Sequence, residues 1–446
     1  MTEGDQRAAI ADGDVLDGHI PPADDPARGS RTRFTRKRDY AILLSIVVAL
    51  AVTGVVAWQT SEIRATESRT DDAAYPIPQG PEIFPPSLGE AWRADSPATW
   101  QPVAIGPTVV TGAGGTVSGR DPRTGDVRWT YGRDLPLCAV SGAWMKAVAL
   151  YRTSDNLLPD RDSRASGGCS EMTSLKAASG RRDGQRNSDA ELGTRMVTDG
   201  SYLTTTGSRL LTTVRSDLVR TMDFGTLPAL VNPDRQPRVN CEFNSVVMTP
   251  GKVGVIERCP EDTSDRLTIY KSTAEEGKDQ DRPVVVASVV LGSEYARIVA
   301  IQDNLTAVAM PDPGRVVVFD QDGIQVGNYP VDLAPDDLRV DPEGKSPLTI
   351  TATGAFYWFT GSRTVVLSTT ELRPMWTIPD TIGPGTVFAG RALVPVVDGI
   401  AVINQANGDR VGTIPVQRDG HTGVVTMASI GTTVLEQRGT TLVALH

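Results

Sequence analysis

One uninterrupted apolar run, AILLSIVVALAVTGVVAW at residues 41–58, constrains this chain more than any other feature. Its 18 residues carry no charge, and as a helix they span about 27 Å, close to a bilayer's hydrocarbon thickness. The run is too long, and follows too long a leader, for the apolar core of a cleaved signal peptide, so an uncleaved single-pass anchor is expected. Arg31, Arg33, Arg36, Lys37 and Arg38 stand directly before it, while the downstream flank mixes both signs and ends in Asp71 and Asp72. The positive-inside rule then leaves the N-terminus in the cytoplasm and everything after Trp58 outside it, which places the protein in the plasma membrane.

That outer part is long enough for one large closed β-architecture or two ordinary domains. Net charge of −10 and a pI near 5.0 argue against a nucleic-acid partner, because such proteins concentrate positive charge to neutralise phosphates. The basic cluster beside the run reads instead as a topology signal that also meets anionic lipid. Arginine outnumbers lysine, a bias common in high-GC bacteria. All four cysteines, Cys138, Cys169, Cys241 and Cys259, follow the run, where an oxidising environment preserves disulfides. Four cysteines allow three pairings, and neighbour pairing, Cys138 with Cys169 and Cys241 with Cys259, closes the shorter loops. With no CxxC, and only His421 and His446 beyond the run, a metal site is not expected.

Residues 1–40 open with a stretch rich in Asp, Gly, Ala and Pro that has no apolar period, so a disordered tail is expected there. The span 59–86 ends in YPIPQGPEIFPP, whose prolines favour extended chain; it reads as a stalk. From 87 to 446 no amphipathic helix is evident. Short runs rich in Val, Thr, Ile and Leu alternate with Gly, Asp and Asn, the pattern of strands and hairpin turns.

A period emerges in these strands. TVSGRDPRTGDVRWTY (116–131) reads as a strand, a turn at 122–125 and a strand bearing an aromatic residue, and IAVINQANGDRVGTIPV (400–416) echoes it. Weaker copies recur at about 35–60 residues, a spacing that signals a propeller or solenoid. RDPRTGDVRW resembles the repeat of PQQ-like (quinoprotein-like) β-propellers, as found in envelope propeller proteins of actinobacteria. The resemblance implies an all-β, eight-bladed propeller of four-stranded antiparallel blades, with a seven-bladed ring as the alternative. Eight blades are placed at 99–134, 135–188, 189–227, 236–292, 295–333, 338–380, 383–417 and 421–446. The last has three strands of its own, and 88–97, with Trp92, is expected to supply the fourth and so remove an open edge.

With strands lettered A to D from the axis outward, the D-to-A and B-to-C connections share one face. The insertions 154–168, 227–240, 259–266 and 333–347 all fall there, as do both cysteine pairs. Arg161, Arg164, Asp234 and Arg235 in these loops are the expected contacts of a binding face. Enzyme chemistry finds little support: the adjacent Cys-Cys of quinoprotein dehydrogenases is missing, His421 lies in a turn, and GAGGTVSG (112–119) precedes no helix. No cofactor and no catalytic residue is assigned. The expected role is a non-enzymatic interaction or scaffold module binding an envelope protein or polymer. The alternatives are a ligand sensor reporting through the anchor and, after it, a quinoprotein-type oxidoreductase.

Overall fold

A computed structural model describes residues 37–59, 61, 64–152, 168–227, 234–274, 279–352 and 354–446. The chain divides into two compact units, 1–64 and 65–446. In the first, the apolar run forms one helix, Lys37–Gln59, that begins within the basic cluster. It is the one described helix long and apolar enough to cross a membrane, and none of its side chains is buried. Ser45 and Thr53 donate to the carbonyls of Ala41 and Ala49, so neither hydroxyl is left unpaired on an apolar surface.

The second unit is an eight-bladed propeller whose sheets span 103–133, 137–190, 196–225, 242–290, 297–330, 349–378, 386–415 and 425–445. The last is completed by Glu90–Asp95, which pairs antiparallel with Thr441–Leu445, so Trp92 sits in strand D as expected. Gly89 and His446 exchange backbone hydrogen bonds at 3.0 Å, fastening the end of the ring to its beginning. A four-stranded sheet of this length cannot bury both faces by itself. Its apolar residues lie accordingly in eight clusters, one for each seam between neighbouring blades.

Three seams are docked by tryptophan. Trp129 of blade 1 lies fully buried, donates to the Ala177 carbonyl at 2.8 Å and covers Gly180 in the next blade's C-to-D turn. A Cβ on Gly180 would stand 2.5 Å from the indole, and its φ of +69° already favours glycine. Trp92 covers Gly125 in the same way, donating to the Pro122 carbonyl, and Trp376 covers Gly408. These are the turns of the two clearest sequence repeats, together with the SGRRDG turn of blade 2.

The span 59–86, expected as a stalk, contributes to the propeller from residue 65 onward. Thr66–Arg69 adds a fifth strand to blade 1, with Thr66 opposite Arg133 and Arg69 opposite Thr130. Its prolines then hold an extended strap across the A-to-B and C-to-D face. Asp72 pairs with Arg181, Tyr75 lies under the Arg128 guanidinium at 3.6 Å, Pro78 meets Gly431 and Phe84 packs edge-on against Phe388. Extended chain without internal hydrogen bonds is free to satisfy its polar groups on the surface it crosses.

Candidate functional site

The opposite face, where blades connect and B-to-C turns emerge, surrounds a cavity of about 1070 Å³ at the mouth of the central axis. The connection 333–347 shapes it. Asp337 anchors this connection by accepting from the Ala334 amide at 2.9 Å, Thr360 Oγ1 at 2.8 Å and Ser362 Oγ at 3.0 Å. The chain then crosses the mouth to a single 3-10 turn, Glu343–Lys345, where Glu343 pairs with Arg195 of blade 3 at 2.6 Å. Thr206 Oγ1 donates to the Gly344 carbonyl, and Asp341 pairs with Arg297 of blade 5 at 2.5 Å. Gly344 has φ of +56°, and a Cβ there would stand 2.4 Å from Arg195 Cγ, so only glycine permits this approach.

The mouth combines an apolar wall with fixed charges. Trp100, Trp358, Phe359 and Val424 line it. Arg195 lies over the Trp100 ring at 4.6 Å. Burial pulls the Arg195 guanidinium below the usual arginine value, with Glu343 opposing, and Arg297 is lowered by the same cause against Asp341. Trp100 Nε1 is buried without a hydrogen-bond partner. Thr99 donates to Gln437 Oε1 at 2.9 Å. The half-buried His421 ring lies 3.3 Å from the Val424 carbonyl. The arrangement presents hydrogen-bond donors, an aromatic platform and carboxylates held in place by ion pairs.

Both disulfides join the expected partners, Cys138 with Cys169 and Cys241 with Cys259, and both lie at this face. Cys138 is near the start of strand A (Leu137–Ala143) and Cys169 opens strand C (Cys169–Lys176) of blade 2, so their bridge closes the base of the 154–168 insertion. Cys241 and Cys259 flank the paired residues Glu242 and Arg258 at the ends of strands A and B of blade 4. Glu257 comes within 4.8 Å of both sulfurs of this second pair. The sulfurs are bonded to each other, and the Glu257 carboxylate is held by Arg238, Thr268 and Tyr270, so the group offers a cation no thiolate.

Of the expected contact residues, Arg161 and Arg164 lie outside the described residues, as do Arg31, Arg33 and Arg36 of the topology signal; Lys37 and Arg38 are exposed at the start of the helix. Asp234 is exposed with φ of +63°. Arg235 pairs with Asp279 in the C-to-D connection of blade 4, and the neighbouring Gln236 bonds the carbonyls of Asp223 and Asp281. The described end of 227–240 therefore stitches blade 3 to blade 4 along their outer strands, because a chain returning from the rim to the axis must satisfy its polar groups in the cleft it crosses. Trp100, Arg195, Asp337 and Glu343 were not anticipated. The one available signal was the length of 333–347, since a contact such as Arg195 to Glu343 spans 148 positions.

No protein-family model matches the chain, and no curated protein matches it by sequence. By structure the propeller is similar to BamB from Moraxella catarrhalis, at 12% identity and TM-score 0.48 over 80% of this chain and 99% of that one. Saccharomyces cerevisiae Sqt1 is similar at 11% and 0.46 over 80% and 97%. Quinohemoprotein alcohol dehydrogenase ADHIIG from Pseudomonas putida HK5 is similar at 10% and 0.48 over 80% and 76%. Likenesses at these values carry no argument about activity or partner. The class of protein, an eight-bladed β-propeller of four-stranded antiparallel blades, follows from the chain's own sheets.

Proposed function

We propose that this chain is a membrane-anchored, extracytoplasmic propeller that binds an envelope protein or polymer, without catalysis, through the face carrying the mouth. The observation behind this reading is an asymmetry between the two faces. The connections 154–168, 259–266 and 333–347, both disulfides and the cavity all belong to one face, while the strap 66–89 runs across the other. Loops pinned by disulfides lose less conformational freedom when a partner docks, which favours binding. Helix Lys37–Gln59 serves as the anchor, with the basic cluster on the cytoplasmic side. Arg161, Arg164 and Asp234 are proposed as partner contacts, and Arg235 as the residue that positions the segment around Asp234.

Site-specific photocrosslinking in native membranes tests the face. A crosslinker at Val424, exposed at the mouth, captures a partner, whereas one at Asn304, exposed in the A-to-B turn of blade 5, does not. Equal capture at both positions, or none at Val424, removes the proposed face. An alkaline phosphatase fusion after His446 tests the orientation independently: an inactive fusion refutes the outside location.

A further inference from the structure

Outer strands of propeller blades expose a row of backbone donors and acceptors, and proteins ordinarily protect such edges with charges, prolines or added chain. Seven of the eight here follow that rule. Strand D of blade 1, Val127–Arg133, is covered by Thr66–Arg69. Those of blades 2, 3 and 8 carry charged residues within RDGQRNSDA, RTMDFG and EAWRAD, and those of blades 5, 6 and 7 contain Pro330, Pro374 and Pro415. Blade 4 departs from all of them. Its outer strand, Val285–Val290, reads VVASVV and has neither a charge nor a proline. No described strand pairs with its free edge.

The strand is also exposed. Val285, Val286 and Val290 are 39%, 37% and 44% accessible. Ala287 and Val289 turn toward Gly323 of blade 5. Ser288 faces the other way and accepts from Arg238 and Arg266, whose charges are already matched by Glu257 and Asp262. The edge strand therefore presents uncharged β-branched side chains, a combination of high β-propensity and low charge that favours strand addition.

We propose that this edge is a self-association surface, at which two copies of the chain join their fourth blades as one continuous antiparallel sheet. Two features select a second copy as occupant. The sequence around the strand, VVVASVVL at 284–291, reads almost the same in both directions about its small central Ala287 and Ser288. An antiparallel two-fold pairing centred on Ser288 sets uncharged side chains opposite one another along the whole ladder, as an isologous contact requires. Blade 1 shows the geometry to be available, since its outer strand already receives an antiparallel neighbour. A six-residue ladder lies at the small end of specific interfaces, below about 1,200 Å², so the association depends on concentration. It involves neither the mouth nor its partner, and it stands or falls separately from the proposed function.

The test is the oligomeric state of the full-length chain in detergent across a concentration series, measured by sedimentation. A concentration-dependent dimer is expected, with its fraction at least tenfold lower in a Val286→Lys/Val290→Lys variant and unchanged in Val326→Lys on the outer strand of blade 5. A monomer at every concentration, or a dimer that the double lysine variant leaves intact, overturns the proposal. Should the lysine variant fail to fold, Ser288→Cys decides: all four native cysteines are paired, so mild oxidation yields a covalent dimer if the edges meet, and its absence rejects the pairing.

Discussion

The seam between blades 1 and 2 and the seam between blades 3 and 4 solve the same packing problem with different chemistry. At the first, one indole covers one glycine, and Val110, Val117, Tyr131, Val140 and Leu175 fill the space beneath. The second has neither element, since strand D of blade 3 lacks tryptophan and the C-to-D connection of blade 4 is long. Phe224, Phe243 and Tyr270 stack there with centroids 4.5–5.2 Å apart, and around them lie Glu257, Arg238, Gln236 and the Cys241–Cys259 bridge. A repeat tolerates loss of its docking motif when stacked aromatic rings, a buried ion pair and a disulfide take its place. The cost is sensitivity to the loss of any one partner.

Truncation separates the two solutions most sharply. Trp129→Ala leaves a large cavity and an unpaired Ala177 carbonyl, and is expected to cost about 3–5 kcal/mol in denaturant unfolding. Glu257→Ala strands the Arg238 charge and costs a comparable about 3–5 kcal/mol, whereas Arg238→Met combined with Glu257→Leu stays within about 2 kcal/mol of wild type. If the double substitution proves as harmful as the single one, the seam needs the ion pair itself rather than a filled and neutral volume.

Removing the Cys138–Cys169 bridge by serine substitution opens a loop of 31 residues and is expected to lower stability by about 2–4 kcal/mol. Thermal melts should leave the Trp129 seam folded until the global transition. A separate early transition in the variant would mean that the bridge holds blade 2 together, in addition to pinning its insertion.

The smallest effect is on acid stability. Burial pushes the Asp121 carboxyl upward, but the Thr124 and Arg123 amides and the Arg128 guanidinium outweigh it, so the group titrates below the usual aspartate value. A depressed folded-state value gives stability that is present above the unfolded value and lost as pH falls through the folded one. Between pH 5 and pH 2 the wild type should therefore lose more stability than Asp121→Asn. Equal slopes would show that the turn beneath Trp92 does not depend on this carboxylate.

Much of the ring was legible because its signals are local. Asp121, Gly125 and Trp129 lie within nine positions, and glycine with positive φ in a hairpin turn is written directly in the residues. The closing role of Trp92 was legible from a count, since the last blade has only three strands of its own. The site was less so. Length marked 333–347 as a loop, yet Asp337 could not be matched with Thr360 and Ser362, nor Glu343 with Arg195, because those pairings depend on how far the ring turns between blades.

The amino-acid sequence alone determined an apolar helix and a repeating strand and turn unit, and favoured neighbour pairing among three possible pairings of the four cysteines, since each rests on periodicity, composition or short spacing. Only the tertiary structure decided that Thr66–Arg69 becomes a fifth strand and the proline-rich segment after it a strap, that one connection spans the mouth, and that Arg235 is engaged in a seam. Those outcomes depend on which distant polar groups come within hydrogen-bond reach once eight sheets close into a ring.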